Sequence, residues 1–343
     1  MGRNNKFYYK DLRQQARDKL LTMQAFGESK KAAEKDGIAD QKIFSYNTYK
    51  TYWKHIRYFI SWIRANHPEC TTLKAARRHA NKWLQEREND PEMSAWTIQT
   101  ESKALNKLFG IKPGDADYFD PPKRMRRNIK RSRTDAERDK NFSPTNNIEL
   151  IKFCQGTGGR RAAIEKLRAD DLWSRQDMEE ELRIAEMGTG YITDDGDEKI
   201  IENIKEALEI FPDREWFIHY VKDKGGRSRF APIVGRNQKK IVERMQNTLP
   251  GKKVWEYVSG NADVHSYRRD YATTIYKQYA RNIEDIPYDG TYEGRGRRYQ
   301  KDVYVCRKDE AGKKLDKKAM LKCSKALGHN RLNVVAAHYL TAI

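Results

Sequence analysis

Hydrophobic positions in the first third of the chain recur at helical spacing. After Ser45, aromatic and aliphatic residues return every three or four positions and form one apolar stripe, while lysine and arginine occupy the opposite face. The same spacing predicts helices over 72–88 and 94–110, with Ser94 and Thr97 as the candidate N-caps. Several helices with short polar connections predict a small N-terminal bundle over residues 1–112.

The pattern changes after this bundle. Residues 113–142 contain three prolines and the run KRMRRNIKRSR, which is typical of an interdomain linker. Beyond it, SPTNNIELIKFCQGTGG predicts a helix capped by Ser143, and both EWFIHYVKDKGGRSRFAPIV and VYVCRKDEAGKKL predict β-hairpins. The chain is therefore expected to be mainly α with a small β-sheet: a helical bundle followed by an α+β domain over 143–343, with insertions near 176–210 and 281–318.

Composition indicates the kind of partner. The 343 residues carry a formal net charge of +19, and the pI is near 9.6, which favours a polyanion, nucleic acid above all. No stretch reaches the roughly 18 apolar residues of a membrane-spanning helix, and the N-terminus lacks the apolar segment of a signal peptide, so a cytoplasmic, nucleoid-associated protein is expected. The four cysteines form no CxxC pair and are expected to be reduced thiols.

Two groups of basic residues are candidates for contacts with DNA phosphates. One lies on the polar face of the helix after Ser45, and the other lies in the linker. Basic faces are often only solvated, but the charge of the whole chain favours DNA contact, and each contact on B-DNA should add about 0.9 to the salt slope of binding. The predicted DNA-binding residues are Lys50, Lys54, Arg57, Lys123, Arg124, Arg126, Arg127, Lys130 and Arg131.

A second set of residues has the chemistry of a reactive site. The segment GTGGRRAAIEKL places Arg160 at the start of a helical pattern, and the first predicted hairpin carries Lys224 directly before two glycines. The segment DVHSYRRDYATTIY holds His265 and Arg268 three positions apart, which puts both on one face of a helical turn.

The last motif of the chain completes this set. The segment LGHNRLNVVAAHYL sets His329 ten positions ahead of Tyr339. In the order Arg, Lys, His-x-x-Arg, Leu-Gly-His and Tyr, the chain resembles the tyrosine recombinase (phage integrase) family over about its C-terminal three-fifths. The resemblance implies a DNA strand transferase that works through a 3′-phosphotyrosyl intermediate and a Holliday junction, as the integrase of a mobile element. It implies no cofactor and no metal.

The resemblance also implies a role for each residue. Transfer of a phosphodiester passes through a phosphorane whose oxygens gain negative charge, so arginines would clamp it, the lysine would protonate the leaving 5′ oxygen, and the histidines would exchange protons or bind the phosphate. The tyrosine would attack phosphorus. The predicted catalytic residues are Arg160, Lys224, His265, Arg268, His329 and Tyr339, with Arg161 and Lys222 as the neighbouring alternatives.

The implied partners are double-stranded DNA with inverted-repeat core sites, three further copies of the chain in a homo-tetramer on that DNA, and DNA-bending accessory proteins, with no membrane. The chain departs from the family pattern at Ala163, where an acidic residue is usual. Three alternatives stay open: an Xer-like resolver, a type IB topoisomerase and a DNA-binding module without catalysis.

Overall fold

The chain divides into two compact units, Met1–Thr134 and Asp135–Ile343. The division falls inside the predicted linker, and the predicted contact residues Arg126, Arg127, Lys130 and Arg131 lie outside the described part of the chain. None of the described helices is both long and apolar enough to cross a membrane. A computed structural model describes residues 11–125, 141–187, 195–221, 223, 228–291, 296, 298–307, 310–341 and 343, with backbone alone for 195–197.

The described part of the N-terminal unit is built from helices. Serine side chains cap three of them: Ser29, Ser45 and Ser94 each accept a hydrogen bond from a backbone N–H three residues later. The N-cap of α6 is therefore Ser94 and not Thr97. The helices are α1 Leu12–Thr22, α2 Lys30–Lys35, α3 Tyr46–Asn66, α4 Leu73–Arg77, α5 Ala80–Asn89 and α6 Ala95–Phe109.

The core of this unit lies between α3, α5 and α6. The ring of Phe59 on the apolar stripe of α3 contacts the rings of Trp83 and Phe109, with centroids 5.4 and 5.9 Å apart. The prediction of one continuous helix over 72–88 is wrong, because the chain turns at Arg78 and His79 and forms two helices, α4 and α5. That break lets Ala76, Ala80 and Trp83 all reach the core.

The first part of the predicted linker packs on this unit. Phe119 is buried in the same core, and the Nε of Arg77 donates to Asp117 at 2.7 Å. Both Asp117 and Phe119 lie within the predicted linker, where the apolar residues have no regular spacing. The connection between the units therefore begins later than residue 113.

The C-terminal unit contains helices and short antiparallel strands, so the coarse expectation of a mainly α fold with a small β component is confirmed. Its strands are β1 Leu172–Ser174, β2 Trp216–Tyr220, β3 Arg229–Pro232, β4 Gly290–Thr291, β5 Arg298–Tyr299, β6 Val303–Val305 and β7 Lys314–Asp316. Its helices are α7 Ile148–Thr157, α8 Arg161–Ile164, α9 Arg175–Glu186, α10 Asp195–Ile210, α11 Gln238–Gln246, α12 Val264–Tyr279, α13 Lys317–Ala326 and α14 Leu332–His338.

The three-stranded sheet β1-β2-β3 separates two hydrophobic clusters. Because successive side chains of a strand point to opposite faces, Phe217 joins the cluster that contains α12 and α13, while Ile218 joins the one that contains α7 and α11. The pairing of β2 with β3 confirms the first predicted hairpin, and the pairing of β6 with β7 confirms the second.

The start of α7 differs from the expectation. Ser143 accepts a hydrogen bond from Asn146, so it caps a turn, and the helix itself begins later at Ile148. The helix ends at Gly158, whose φ of 62° suits glycine; a Cβ there would lie 2.2 Å from the ring of Tyr271 on α12. This close approach fixes the end of α7 against α12.

The described residues of the predicted insertion near 176–210 lie mainly in α9 and α10. The buried residues Ile204, Ala207 and Phe211 belong to the cluster that contains α12 and α13. Sequence reasoning gave this segment no role. The structure shows that it covers one face of the small sheet.

Candidate active site

Five of the predicted catalytic residues come from three regions of the C-terminal unit. Arg160 is the N-cap residue of α8 and follows the glycines that end α7. His265 and Arg268 lie in the first two turns of α12, as the three-residue spacing predicts. His329 lies in the turn between α13 and α14, and Tyr339 is the C-cap residue of α14.

Tyr339 is the centre of the contacts between these residues. Its side chain is buried, with 4% exposed. Its hydroxyl lies 3.3 Å from Nε2 of His329 and accepts a long hydrogen bond from Nε of Arg268 at 3.4 Å. The exposed His265 lies nearby, with its ring centroid 6.4 Å from that of Tyr339. The phenol therefore lies between an imidazole and a guanidinium.

Arg268 is the most enclosed cation of the site, with 1% exposed. Its Nη1 donates to the carbonyl of Gly158 and its Nη2 to the carbonyl of Leu327, so one side chain ties the ends of α7 and α13 together. Burial lowers the pKa of Arg268 to about 10, with the positive charge of Arg229 as the next cause. The guanidinium therefore stays charged at neutral pH.

His329, unlike Arg268, is uncharged at neutral pH. Burial, followed by the charges of Arg268 and Arg160, lowers the pKa of His329 to about 4. Its backbone is fixed because the hydroxyl of Ser324 donates to the His329 carbonyl at 2.7 Å. A neutral imidazole has one nitrogen that accepts a hydrogen bond, so Nε2 can take the proton of the Tyr339 hydroxyl.

Two residues that sequence reasoning did not select complete the cluster. Asp223 forms ion pairs with Nη1 of Arg160 and, at 3.1 Å, with Nη2 of Arg229. Arg229 begins β3 and is buried, with its guanidinium 4.3 Å from the ring centroid of Tyr220. The sequence did contain a signal for Arg229, because it is a lone arginine at the start of the apolar segment RFAPIV. Asp223 gave no signal, because an acid in the turn KDKGG is ordinary.

The cluster has more positive than negative charge. The charges of Arg160 and Arg229 contribute to the lowered pKa of Arg268, and all three arginines contribute to the lowered pKa of His329. The carboxylate of Asp223 pairs with two of them, Arg160 and Arg229. Ala163, where the resemblance led us to look for an acid, offers no carboxylate. An unbalanced buried cluster of cations is costly unless an anion joins it.

A cavity of about 350 Å³ opens beside the cluster and is lined in part by Arg160, His265 and Arg268. A second cavity of about 460 Å³ is lined by Asp223, Arg229 and His329 among others. Arg160 thus lies between the first cavity and Asp223. The neighbouring Arg161 has a different role, because it donates to the carbonyls of Gly260 and Ala262 and fixes the loop before α12.

Other predicted residues are not part of this cluster. Lys224 and its alternative Lys222 lie outside the described residues. Lys50 and Lys54 are exposed on α3, each near a tyrosine ring of the same helix, at 5.6 Å from Tyr46 and 5.9 Å from Tyr58. The remaining described candidates lie in the N-terminal unit: the half-buried Arg57 and Arg124, and the exposed Lys123.

Within the described residues, one group has the spacing of metal ligands, and it lies in the N-terminal unit. His67, Glu69 and His79 place one ligand atom each within 4.8 Å of one another. The two imidazole rings are stacked, with centroids 3.7 Å apart and planes 23° apart. This is the geometry of two rings stacked face to face, and lone pairs that lie in two nearly parallel planes are poorly placed to meet at one ion between the rings.

A comparison with models of known protein families finds no match, and a search of curated proteins finds no significantly similar sequence.

Proposed function

We propose that the C-terminal unit transfers a DNA phosphodiester to Tyr339. The observation that carries this proposal is the position of the tyrosine hydroxyl between a neutral imidazole and a buried guanidinium, at the edge of a cluster with excess positive charge. A phosphodiester is an anion, and its transition state carries still more negative charge on the non-bridging oxygens. The cluster supplies the charge that this group needs.

The reaction follows from the donors and acceptors in the site. The Tyr339 hydroxyl gives its proton to Nε2 of His329, its oxygen bonds to phosphorus, and the bond from phosphorus to the 5′ oxygen breaks. Arg160 and Arg268 hold the non-bridging oxygens, since a guanidinium offers parallel charged donors. The 5′ oxygen takes up a proton, for which the sequence suggests Lys224. The product is a 3′-phosphotyrosyl ester, and attack by a 5′ hydroxyl reverses the step.

More particularly, we infer a site-specific tyrosine recombinase that integrates or excises a mobile element. The order of the motifs along the chain supports this, as does the net charge of +19. In the N-terminal unit, the α3 face with Tyr46, Lys50, Lys54 and Tyr58 combines cations with exposed rings, which suits contact with a nucleic-acid backbone. Four copies on paired core sites would exchange strands through a Holliday junction.

The test uses nicked duplexes that tile the DNA on both sides of the coding sequence. The nick lets the short 5′ fragment diffuse away and traps the covalent intermediate. We expect a denaturant-resistant protein–DNA adduct with the wild-type chain and none with Tyr339→Phe, which keeps the ring. An equal yield from both proteins would place the covalent bond on another residue and reject Tyr339 as the nucleophile. No adduct from either protein, while DNA binding persists, would leave only a DNA-binding module.

A second measurement separates the enzyme classes. A recombinase should form a complex of four protomers on two sites and give recombinant products. A type IB topoisomerase should relax supercoiled DNA as a monomer with little sequence preference. Relaxation of supercoiled DNA without paired-site complexes would reject the assignment as a recombinase but would still support phosphoryl transfer to Tyr339.

A further inference from the structure

Asp223 lies between two arginines of unequal exposure, 21% for the side chain of Arg160 and 8% for that of Arg229. Its side chain is buried, with 4% exposed, and its Oδ2 meets Nη1 of Arg160 and Nη2 of Arg229. One carboxylate oxygen therefore bridges two guanidiniums. Without it, two cations would face each other in a poorly hydrated space, where their repulsion is strong.

Arg229 is the fixed partner of Asp223. Its guanidinium lies over the ring of Tyr220, whose hydroxyl donates to the carbonyl of Thr157 at 3.1 Å. On another side it meets Gly328, where a Cβ would lie 2.7 Å from Nε of Arg229. The glycine of the Leu-Gly-His motif thus leaves room for this arginine. The Nε and Nη1 atoms are buried and have no hydrogen-bond partner among the described residues, so packing holds the group in place.

Arg160 is the partner that faces the substrate. Its side chain is 21% exposed and lines the 350 Å³ cavity together with His265 and Arg268. An arginine has four side-chain torsions, and an exposed one samples many orientations unless something holds it. The contact with Asp223 is an ion pair that limits this motion.

We propose that Asp223 is a positioning residue that orients Arg160 toward the scissile phosphate, with Arg229 as its anchor. This inference rests on the proposed phosphoryl transfer and names a residue that the sequence motifs do not include. Tyr220 and Gly328 pack against Arg229 and hold it in place. Arg229 pairs with Asp223, and Asp223 in turn pairs with Arg160. It gives Arg160 a carboxylate from the turn after β2.

The first test measures single-turnover adduct formation on the trapped duplex with Asp223→Asn. We expect about a 10²-fold slower rate, because small misplacement of a substrate-binding group costs about that much, and no weaker DNA binding. The matched substrate carries a methylphosphonate at the scissile position, which lacks one charged oxygen. Its rate should fall far less, because it needs the arginine clamp less. Equal slowing of both substrates would show a general structural defect and overturn the proposal.

The second variant separates orientation from simple charge compensation. Asp223→Asn combined with Arg229→Gln removes one negative and one positive charge, so the cluster keeps its net charge. If Asp223 orients Arg160, this double variant remains slow on the phosphodiester. Recovery of the wild-type rate would show that Asp223 only neutralises Arg229, and would reject the positioning role.

A third measurement does not depend on DNA. Unfolding of Asp223→Asn, Arg160→Gln and the double variant should show effects that are less than additive, since both changes break one ion pair. Additive effects would overturn the proposal whatever the enzyme does. If the wild-type chain forms no adduct with any duplex, the proposed function itself fails, and that result is distinct because it does not involve the variants.

Discussion

The two units each bury an ionic cluster, and the clusters differ in charge balance. In the N-terminal unit, Glu101 is completely buried and accepts hydrogen bonds from Nε and Nη2 of Arg87 at 3.1 and 2.9 Å, with Nδ1 of His55 at 3.2 Å. One carboxylate meets one guanidinium. In the C-terminal unit, one carboxylate, Asp223, meets two of three guanidiniums.

The difference in charge balance goes with a difference in how the neighbouring groups act on the pKa values in each cluster. In the balanced cluster the buried carboxylate is bonded to a guanidinium and an imidazole, and burial, which raises the pKa of Glu101, is outweighed by the hydrogen bonds of His55 and Arg87, so the pKa is lowered. Removing one partner from such a cluster destabilises a fold. In the unbalanced cluster the same burial lowers the pKa of Arg268 and of His329. It has the charge to receive an anion.

Substitution of one buried arginine in each cluster should separate the roles most strongly. Arg268→Lys keeps the charge but loses the planar fork that would bind the non-bridging oxygens of the phosphate. The adduct rate should therefore fall about 10³-fold, as when an oxyanion donor is removed. The matched variant Arg87→Lys should leave the rate of the folded protein unchanged. Equal effects on the rate would erase the distinction between the clusters.

The converse substitution acts on stability. Glu101→Gln should lower the free energy of unfolding by about 3 kcal/mol, because it removes the buried carboxylate that Arg87 and His55 bind and leaves Arg87 with the more distant Asp90, at 4.0 Å. Chemical denaturation measures this, and the adduct rate per folded molecule should not change. A loss of rate greater than the loss of folded protein would mean that the N-terminal cluster contributes to the reaction.

Two histidines with the same lowered pKa sharpen the comparison further. Burial lowers the pKa of His219 and of His329 to about 4, from 6.5. Between these values the unfolded chain binds more protons, so stability is present above pH 6.5 and is lost as the pH falls toward 4. His219→Gln and His329→Gln should each flatten this dependence in denaturation curves.

The same pair differs in chemistry. His219 bonds to the hydroxyl of Ser228 at 2.7 Å, whereas His329 contacts the Tyr339 hydroxyl. Loss of a general base costs about 10²-fold or more, so His329→Gln should slow the adduct and His219→Gln should not. If both variants kept the wild-type rate, a group other than His329 would have to accept the tyrosine proton.

The smallest expected effects are on the surface of the N-terminal unit. Lys50→Ala and Lys54→Ala should each lower the slope of log affinity against log salt by about 0.9, if each contacts one phosphate. Lys30→Ala is the control, because Lys30 is an exposed lysine paired with Glu34. Unchanged slopes for all three would place the α3 face away from DNA.

Sequence patterns predicted those parts of the molecule that depend on local order. The helical stripe after Ser45, the Ser94 cap and the two hairpins follow from spacing and turn residues. The break at Arg78 and the burial of Phe119 depend on tertiary packing, and no local pattern marks them.

The site shows the same limit. Arg160, Arg268, His329 and Tyr339 were predicted from motif order, and the structure brings them together, although their catalytic roles stay predictions. Asp223 and Arg229 were missed because their importance comes from burial against distant residues. A turn acid and a strand arginine look like surface residues until the fold encloses them.

The most direct test of the phosphoryl-transfer site is to identify both ends of the covalent bond. The trapped adduct is digested with protease and nuclease, and mass spectrometry locates the modified residue and the nucleotide end. We expect the added mass of the nucleotide on Tyr339, joined through a 3′ phosphate, with a free 5′ hydroxyl on the released strand. A bond to another residue, or to a 5′ phosphate, would contradict it.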